Sequence, residues 1–101
     1  MVSELRQGDV LKIENIRHPV LVVSKDYFNE SGQIIGCPIF TDSIESALHV
    51  YVETDGIYGF VHCEQLAFWD VNVRGYTKIG NVGLEDKIDI SDTIQGIFDY
   101  V

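Results

Sequence analysis

The sequence predicts a mainly β domain, a small and strongly bent antiparallel barrel with one helix at its C-terminal end. Three observations predict it. Short β-branched runs recur as far as Ile79, Val20-Leu21-Val22-Val23 being the clearest. Gly, Asn, Asp and Ser divide these runs at short intervals, as turns between strands do. Only the segment from Leu84 to Tyr100 is a plausible helix, with Ile90, Ile94, Ile97 and Val101 recurring at helical spacing. The 101 residues contain no linker, repeat or low-complexity stretch, so residues 1–101 read as a single domain. A chain of this size buries only about 60–70% of the surface its unfolded form exposes, and a dimer interface would add to its stability.

Each element has a local reason. Gly8-Asp9 is a turn leading into Val10 to Glu14, which alternates in part. Val20 to Ser24 is a buried strand, and Pro19 stands at its first position, where a missing N–H need not break the ladder. Lys25 to Gly32 is a turn-rich connection. Gln33 to Phe40 is a third strand, in which Pro38 marks an edge, a bulge or the end. Thr41 to Ser46 is a polar loop. His49 to Glu53 alternates, with Val50 and Val52 on one face and His49, Tyr51 and Glu53 on the other. Asp55-Gly56 is a hairpin turn into Tyr58 to Cys63. Leu66 to Val73 is a strand broken near Asp70, and Tyr76 to Ile79 is a last short one. Within the helical segment Ser91-Asp92 offers a cap for a shorter helix, and Gly96 weakens the pattern.

Composition limits the function classes. Seven Lys and Arg face sixteen Asp and Glu, a net charge of −9, which argues against simple phosphate binding. The acid is concentrated late: Glu85, Asp86, Asp89, Asp92 and Asp99 accompany Lys87 alone after residue 80, so a basic cleft elsewhere is compatible with the total. No apolar run reaches the roughly 20 residues of a membrane helix. The polar N-terminus lacks a signal-peptide core, so the expected location is cytoplasmic. Cys37 and Cys63 lie in apolar strands and read as buried thiols. Cys37, Cys63, His49 and His62 together make only a weak metal signal, because neither Cys-x-x-Cys nor His-x-x-x-His spacing occurs. No metal or cofactor is expected.

Arg17-His18 stands at the mouth of the second strand. That position suits groups that touch an anionic ligand, and it is equally an ordinary place for a strand to meet water.

The order of the segments is more specific than any one of them. Gly8-Asp9-Val10, Pro19 to Ser24, Phe28-Asn29, Gly36-Cys37-Pro38-Ile39, His49-Val50, Cys63-Glu64-Gln65-Leu66 and Arg74 to Gly80 form a series. In order and spacing the series resembles the MazF/PemK family of toxins from bacterial toxin–antitoxin modules, from Gly8 to about Gly80. The resemblance implies an SH3-like barrel of the MazF/PemK/CcdB kind with a C-terminal helix, usually a homodimer. It implies a metal-independent endoribonuclease that cuts single-stranded RNA at short sequences, and a cognate antitoxin as partner. The family's catalytic arginine directly precedes the proline of the second strand. Here His18 holds that place and Arg17 lies one residue earlier. The family's threonine follows the proline and one apolar residue of the third strand. Here Phe40 holds that place and Thr41 comes next. The family's long loop after the first strand is reduced to Asn15-Ile16.

Metal-free RNA cleavage uses the 2′-hydroxyl as an internal nucleophile. It needs a base for that proton, an acid for the leaving 5′-oxygen and a cation for the phosphate. His18 offers an imidazole as acid or base, Arg17 suits a bidentate phosphate contact, and Thr41 offers a hydroxyl donor. Arg17, His18 and Thr41 are therefore the expected catalytic set, with His49, Gln65 and Arg74 as expected RNA contacts. Other readings stand beside these. Thr41 also reads as a turn residue, Gln65 as a buried amide tying down a turn, and Arg74 as a partner of Asp70 or Glu64. Tyr58, Phe60, Phe68 and Trp69 read as core or dimer interface ahead of an aromatic platform for bases. Asp70 reads as a structural polar contact. The alternative function is a catalytically inactive binding module of the same fold that binds RNA or a protein partner.

Overall fold

The computed structural model describes residues 4–99. Along the chain lie β1 (Asp9–Ile13), β2 (Val20–Val22), α1 (Asp26–Asn29), β3 (Gln33–Phe40), β4 (His49–Thr54), β5 (Ile57–His62), β6 (Ala67–Asp70), α2 (Val71–Arg74), β7 (Tyr76–Asn81) and α3 (Leu84–Phe98). The strands form one seven-stranded, strongly curled antiparallel sheet in the order β4-β5-β3-β2-β1-β7, with β6 paired to β3 off that path. The expected mainly β architecture with a terminal helix is therefore present. Among the described residues no ladder joins β7 to the β4–β5 hairpin. The Thr54 hydroxyl, donating to the Asn81 carbonyl at 2.8 Å, draws the two together instead.

The eight-residue β3 is the spine. One of its edges carries β2, with Gly36, Cys37 and Pro38 opposite Val22, Leu21 and Val20. Its other edge carries β6 from Gln33 to Gly36 and β5 at Ile39 and Phe40. Pro38 sits inside the strand. The Ile39 N–H donates to the Pro19 carbonyl on the β2 side, at 2.9 Å. Position 38 therefore turns its nitrogen to the opposite edge, in the gap between β6 and β5, where no ladder bond is lost. Gly36 allows the close approach of β2. A Cβ there would lie 2.5 Å from Val20 Cγ1 and 2.9 Å from the Leu21 carbonyl oxygen.

Both faces of β1 to β3 are covered, which is why β2 reads as an unbroken apolar run. Val10, Leu21, Cys37 and Ile39 face inward with Val52, Val61, Cys63, Val82 and Ile90. Leu11, Ile13, Val20, Val22 and Ile34 face the other way with Leu5 and Val71. The helix α3 joins the first cluster through Ile90 and Ile94, while Ile97 is exposed. It begins at Leu84, so Ser91 and Asp92 lie within it and cap nothing. Tyr100 and Val101 fall outside the described residues, as do Met1 to Ser3. Glu85 and Asp86 occupy its first turn, where carboxylates favour the helix dipole.

Two further details differ from the sequence reading. The Lys25–Gly32 connection contains one helical turn, α1. It is held by the buried Asn29, whose Nδ2 donates to the Ser24 carbonyl at 3.0 Å. The strand expected from Leu66 to Val73 stops at Asp70. There the Asp70 carboxylate accepts from the Asn72 N–H at 3.1 Å and starts the turn α2.

Two glycines separate packing from propensity. Gly36→Ala is expected to cost about 1–3 kcal/mol, because the added carbon meets backbone as well as Val20. Gly96→Ala lies in open space inside α3 and is expected to stabilise by about 0.5–1 kcal/mol. Urea midpoints at unchanged slope would show opposite displacements; a neutral Gly36→Ala would mean that β2 does not need this approach.

Candidate functional site

The β2–β3 register carries the residues at the mouth of β2. It sets Val20 opposite Pro38, and the next rung is the Pro19–Ile39 bond. One rung further His18 faces Phe40, and their rings meet edge to face at 4.7 Å. Arg17 and Thr41 are the next residues in the chain, outside the paired segments. Pro38 introduces no register shift between β2 and β3, and β3 ends at Phe40, so Thr41 opens the following loop. Arg17 and Thr41 are exposed, and Arg17 forms no ion pair among the described residues.

From Phe40 the contacts continue across β5 to β4. Phe40 packs edge-on against His62 at 4.7 Å, and His62 stacks on His49 with centroids 3.7 Å apart. His49 and His62 are opposed on β4 and β5, which brings their rings together. The alternation puts His49 on the polar face with Tyr51 and Glu53. Those two are exposed, but the His49 side chain is only 12% exposed, because the 41–46 loop folds over it. Its Nδ1 lies 2.8 Å from the Ile44 carbonyl and its Nε2 3.1 Å from the Glu64 carboxylate. His62 Nε2 lies 2.7 Å from the Ser43 hydroxyl. His62 Nδ1 lies 3.2 Å from Gln65 Nε2 and 3.8 Å from the Glu64 carboxylate.

A pocket of about 290 Å³ opens beside this run, lined by Ile16, His18, Val20, Pro38, Gln65 and Trp69, with Leu66 and Ala67. Two buried polar atoms of its lining residues, His18 Nδ1 and Trp69 Nε1, have no hydrogen-bond partner. The Arg74 guanidinium lies over the Trp69 ring, 5.4 Å from its centroid, and forms no ion pair with Asp70 or Glu64 among the described residues. The Lys12 ammonium donates to the Ile16 carbonyl on the same rim. Lys12 and Arg74 thus stand at the pocket and Arg17 adjoins His18 in the chain, while five acids are carried on or beyond α3.

Of the expected residues, the structure joins His18, His49 and Gln65 through Phe40 and His62, and sets Arg17 and Thr41 at one end and Arg74 at the other. Gln65 is exposed, not a buried turn amide. Sequence reasoning missed Ser43, His62 and Glu64 as site residues. The only signal available was His62, which had been noted for a different grouping. Tyr58 and Phe68 are exposed, and Phe60 packs edge-on against Tyr51 at 5.5 Å. Cys37 and Cys63 are buried free thiols. Burial foremost, then neighbouring Cys63 and Glu64, pushes Cys37 up to about 12, and burial and Glu64 push Cys63 up to about 11. Protonated thiols at these values are neither nucleophiles nor ready metal ligands.

A sequence profile describing the PemK-like, MazF-like toxins of type II toxin–antitoxin systems matches residues 6–98. The chain belongs to this toxin family. The fold agrees with solved MazF structures. A MazE–MazF crystal structure from Deinococcus radiodurans superposes with a TM-score of 0.84 at 18% identity, covering 97% of each chain. An endoribonuclease from a mycobacterial species gives 0.83 at 16% identity, covering 97% of this chain and 94% of that one. A mycobacterial endoribonuclease in complex with its cognate antitoxin gives 0.80 at 18% identity, covering 95% of each. No curated protein matches the sequence significantly. Among the described residues of this MazF-like toxin, no helix is long and apolar enough to cross a membrane.

Electrostatics set the two stacked imidazoles of this MazF-like toxin apart. The bond to the Ile44 carbonyl, aided by Glu64, outweighs burial and raises His49 above the ordinary histidine value. Burial, then the neighbouring His49, lowers His62 in spite of Glu64. Burial works to raise Glu64, but its own backbone N–H and the two histidines hold it below the ordinary carboxylate value. The raised His49 contributes stability that is fully present below about pH 6.5 and lost as pH rises through its folded value. The depressed Glu64 contributes stability present above about pH 4.3 and lost as pH falls through its folded value. Protonating His62 costs stability as pH falls below about 6.5. In chelator-treated protein, NMR titration is expected to place His49 above His62. Glu64→Gln is expected to lower both and to leave His49 the part of its rise due to Ile44. The reverse order of the two histidines would contradict this assignment.

Proposed function

We propose that this MazF-like toxin is an endoribonuclease that cuts single-stranded RNA at short sequences without a metal ion. It acts in the cytoplasm as a homodimer and is neutralised by a cognate antitoxin. The observation that carries the reading is His18 at the mouth of β2, packed on Phe40 and lining the pocket, with the exposed Arg17 and Thr41 next to that pair in the chain. A phosphate held at that rim would meet a guanidinium, a hydroxyl donor and an imidazole, the three kinds of group that transesterification at phosphorus needs. Arg17 holds the phosphate, Thr41 donates to a non-bridging oxygen, and His18 takes the 2′-hydroxyl proton as that oxygen bonds to phosphorus and returns it to the 5′-oxygen as the bond from phosphorus to that oxygen breaks. The pocket receives an adjoining base, with Trp69 as an apolar wall and Gln65 and His49 as polar contacts. Arg74, laid over Trp69, holds a second phosphate. The sites of cleavage follow from which base fits, since stacking alone accepts any of the four. Family membership supports the toxin role. The relatives described as endoribonuclease and as antitoxin complexes support the activity and the partner.

A second reading rests on the same rim. His18 and Phe40 stand where the family carries arginine and threonine, and a net charge of −9 opposes RNA, so the chain would be a binding module without cleavage.

Incubating the protein with a long mixed-sequence RNA in EDTA distinguishes the two. Discrete fragments are expected. Arg17→Ala and His18→Ala are each expected to slow their formation by about 10²–10⁴-fold, and Thr41→Val by less. Intact RNA that is nevertheless retained in a salt-sensitive manner would favour the binding module. Cleavage unaffected by either substitution would move the chemistry elsewhere on the surface.

A further inference from the structure

We propose that His49, His62 and Glu64 form a binding site for a zinc-like divalent transition metal ion, distinct from the phosphate-handling rim at Arg17 and Thr41. One nitrogen of each imidazole and one carboxylate oxygen lie within 4.8 Å of one another. The Glu64 oxygen is 3.1 Å from His49 Nε2 and 3.8 Å from His62 Nδ1. Ligand atoms around a tetrahedral zinc, at bond lengths of about 2.0–2.2 Å, stand roughly 3.3 Å from each other. The carboxylate oxygen is thus already near the required spacing from each imidazole.

The remaining nitrogens are occupied in the manner a metal site requires. His49 Nδ1 is held by the Ile44 carbonyl at 2.8 Å, which fixes the proton there and leaves the Nε2 lone pair toward Glu64. His62 Nε2 is held by the Ser43 hydroxyl at 2.7 Å, and the Gln65 amide, which can only donate, lies 3.2 Å from Nδ1 and favours the opposite tautomer, with the lone pair on Nδ1. Such outer hydrogen bonds orient histidine ligands and tune their basicity. Both come from the 41–46 loop, although the ligands themselves belong to β4, β5 and the turn after it.

Two adjustments accompany binding. The imidazoles stack with their planes only 14° apart, so they must splay before both lone pairs reach one ion. The Gln65 amide must also leave His62 Nδ1, and since Gln65 is exposed this is a side-chain movement. Two histidines and one carboxylate leave a fourth position open, and borderline ions such as zinc suit this donor set. The bound ion would tie the loop to the β4–β5 hairpin.

Calorimetric titration of untagged, chelator-stripped protein with zinc chloride is expected to show one saturable site per chain and a rise in Tm. His49→Ala and Glu64→Ala are expected to abolish it. Ser43→Ala, which removes only the bond that orients His62, is expected to weaken it about 10–100-fold. Nitrogen-15 spectra of the zinc-loaded wild-type protein give a readout that does not depend on any variant folding. They are expected to show His49 metallated at Nε2 and His62 at Nδ1. Binding unchanged in the variants, metallation at Nε2 of both rings, or no saturable binding would each overturn the proposal. RNA cleavage enters none of these measurements, so the site and the nuclease reading fail separately.

Discussion

The close approach of β2 to β3 governs the rest of the molecule. Gly36 has no side chain where Val20 and the Leu21 carbonyl crowd in, so the two strands pair without a bulge. That pairing fixes the register at the mouth of β2, and with it the face-off between His18 and Phe40. The same strand, β3, passes its other edge from β6 to β5 across the one position that cannot donate, Pro38. The hand-over brings the β4–β5 hairpin beside the mouth of β2. Without it, His49 and His62 would have no reason to lie near His18.

Charge is arranged to match. Lys78 pairs with the buried Asp9 at 3.1 Å and Arg6 with Asp26 at 3.3 Å, which occupies cations on β7 and the N-terminal turn. Lys12 and Arg74 are held at the pocket by a carbonyl and by an aromatic face, and Arg17 adjoins it in the chain. The acidic α3 packs on the inner cluster through Ile90 and Ile94. A chain that is strongly acidic overall can therefore still present cations at one rim, because the field near a surface depends on local groups more than on the total.

The fold was legible because burial is written into periodicity. Continuous apolar runs became strands covered on both faces, and the isoleucine spacing became α3. The misreadings arose where a side chain satisfied a backbone group. Asp70 stops β6 by accepting from Asn72, and Asn29 stabilises a helical turn in a segment that reads only as polar loop. Pro38 was ambiguous because its cost depends on which edge its nitrogen faces, and that depends on the partner strands. In the candidate site, His18, His49, Gln65, Arg17, Thr41 and Arg74 could be named from sequence. Ser43 and Glu64 could not, because nothing in their own spacing separates them from ordinary loop polar residues.

The sequence by itself determined a single mainly β domain with a terminal helix, its family, two buried thiols, and an acidic end. All of these follow from local composition, from periodicity or from the order of short segments. Only the tertiary structure decided that His18 and Phe40 stand ring to ring at the mouth of β2. It also decided that Glu64 completes a cluster with His49 and His62 while the cysteines stay apart. Register and loop closure are properties of pairs of segments distant in the chain, and no single segment encodes them.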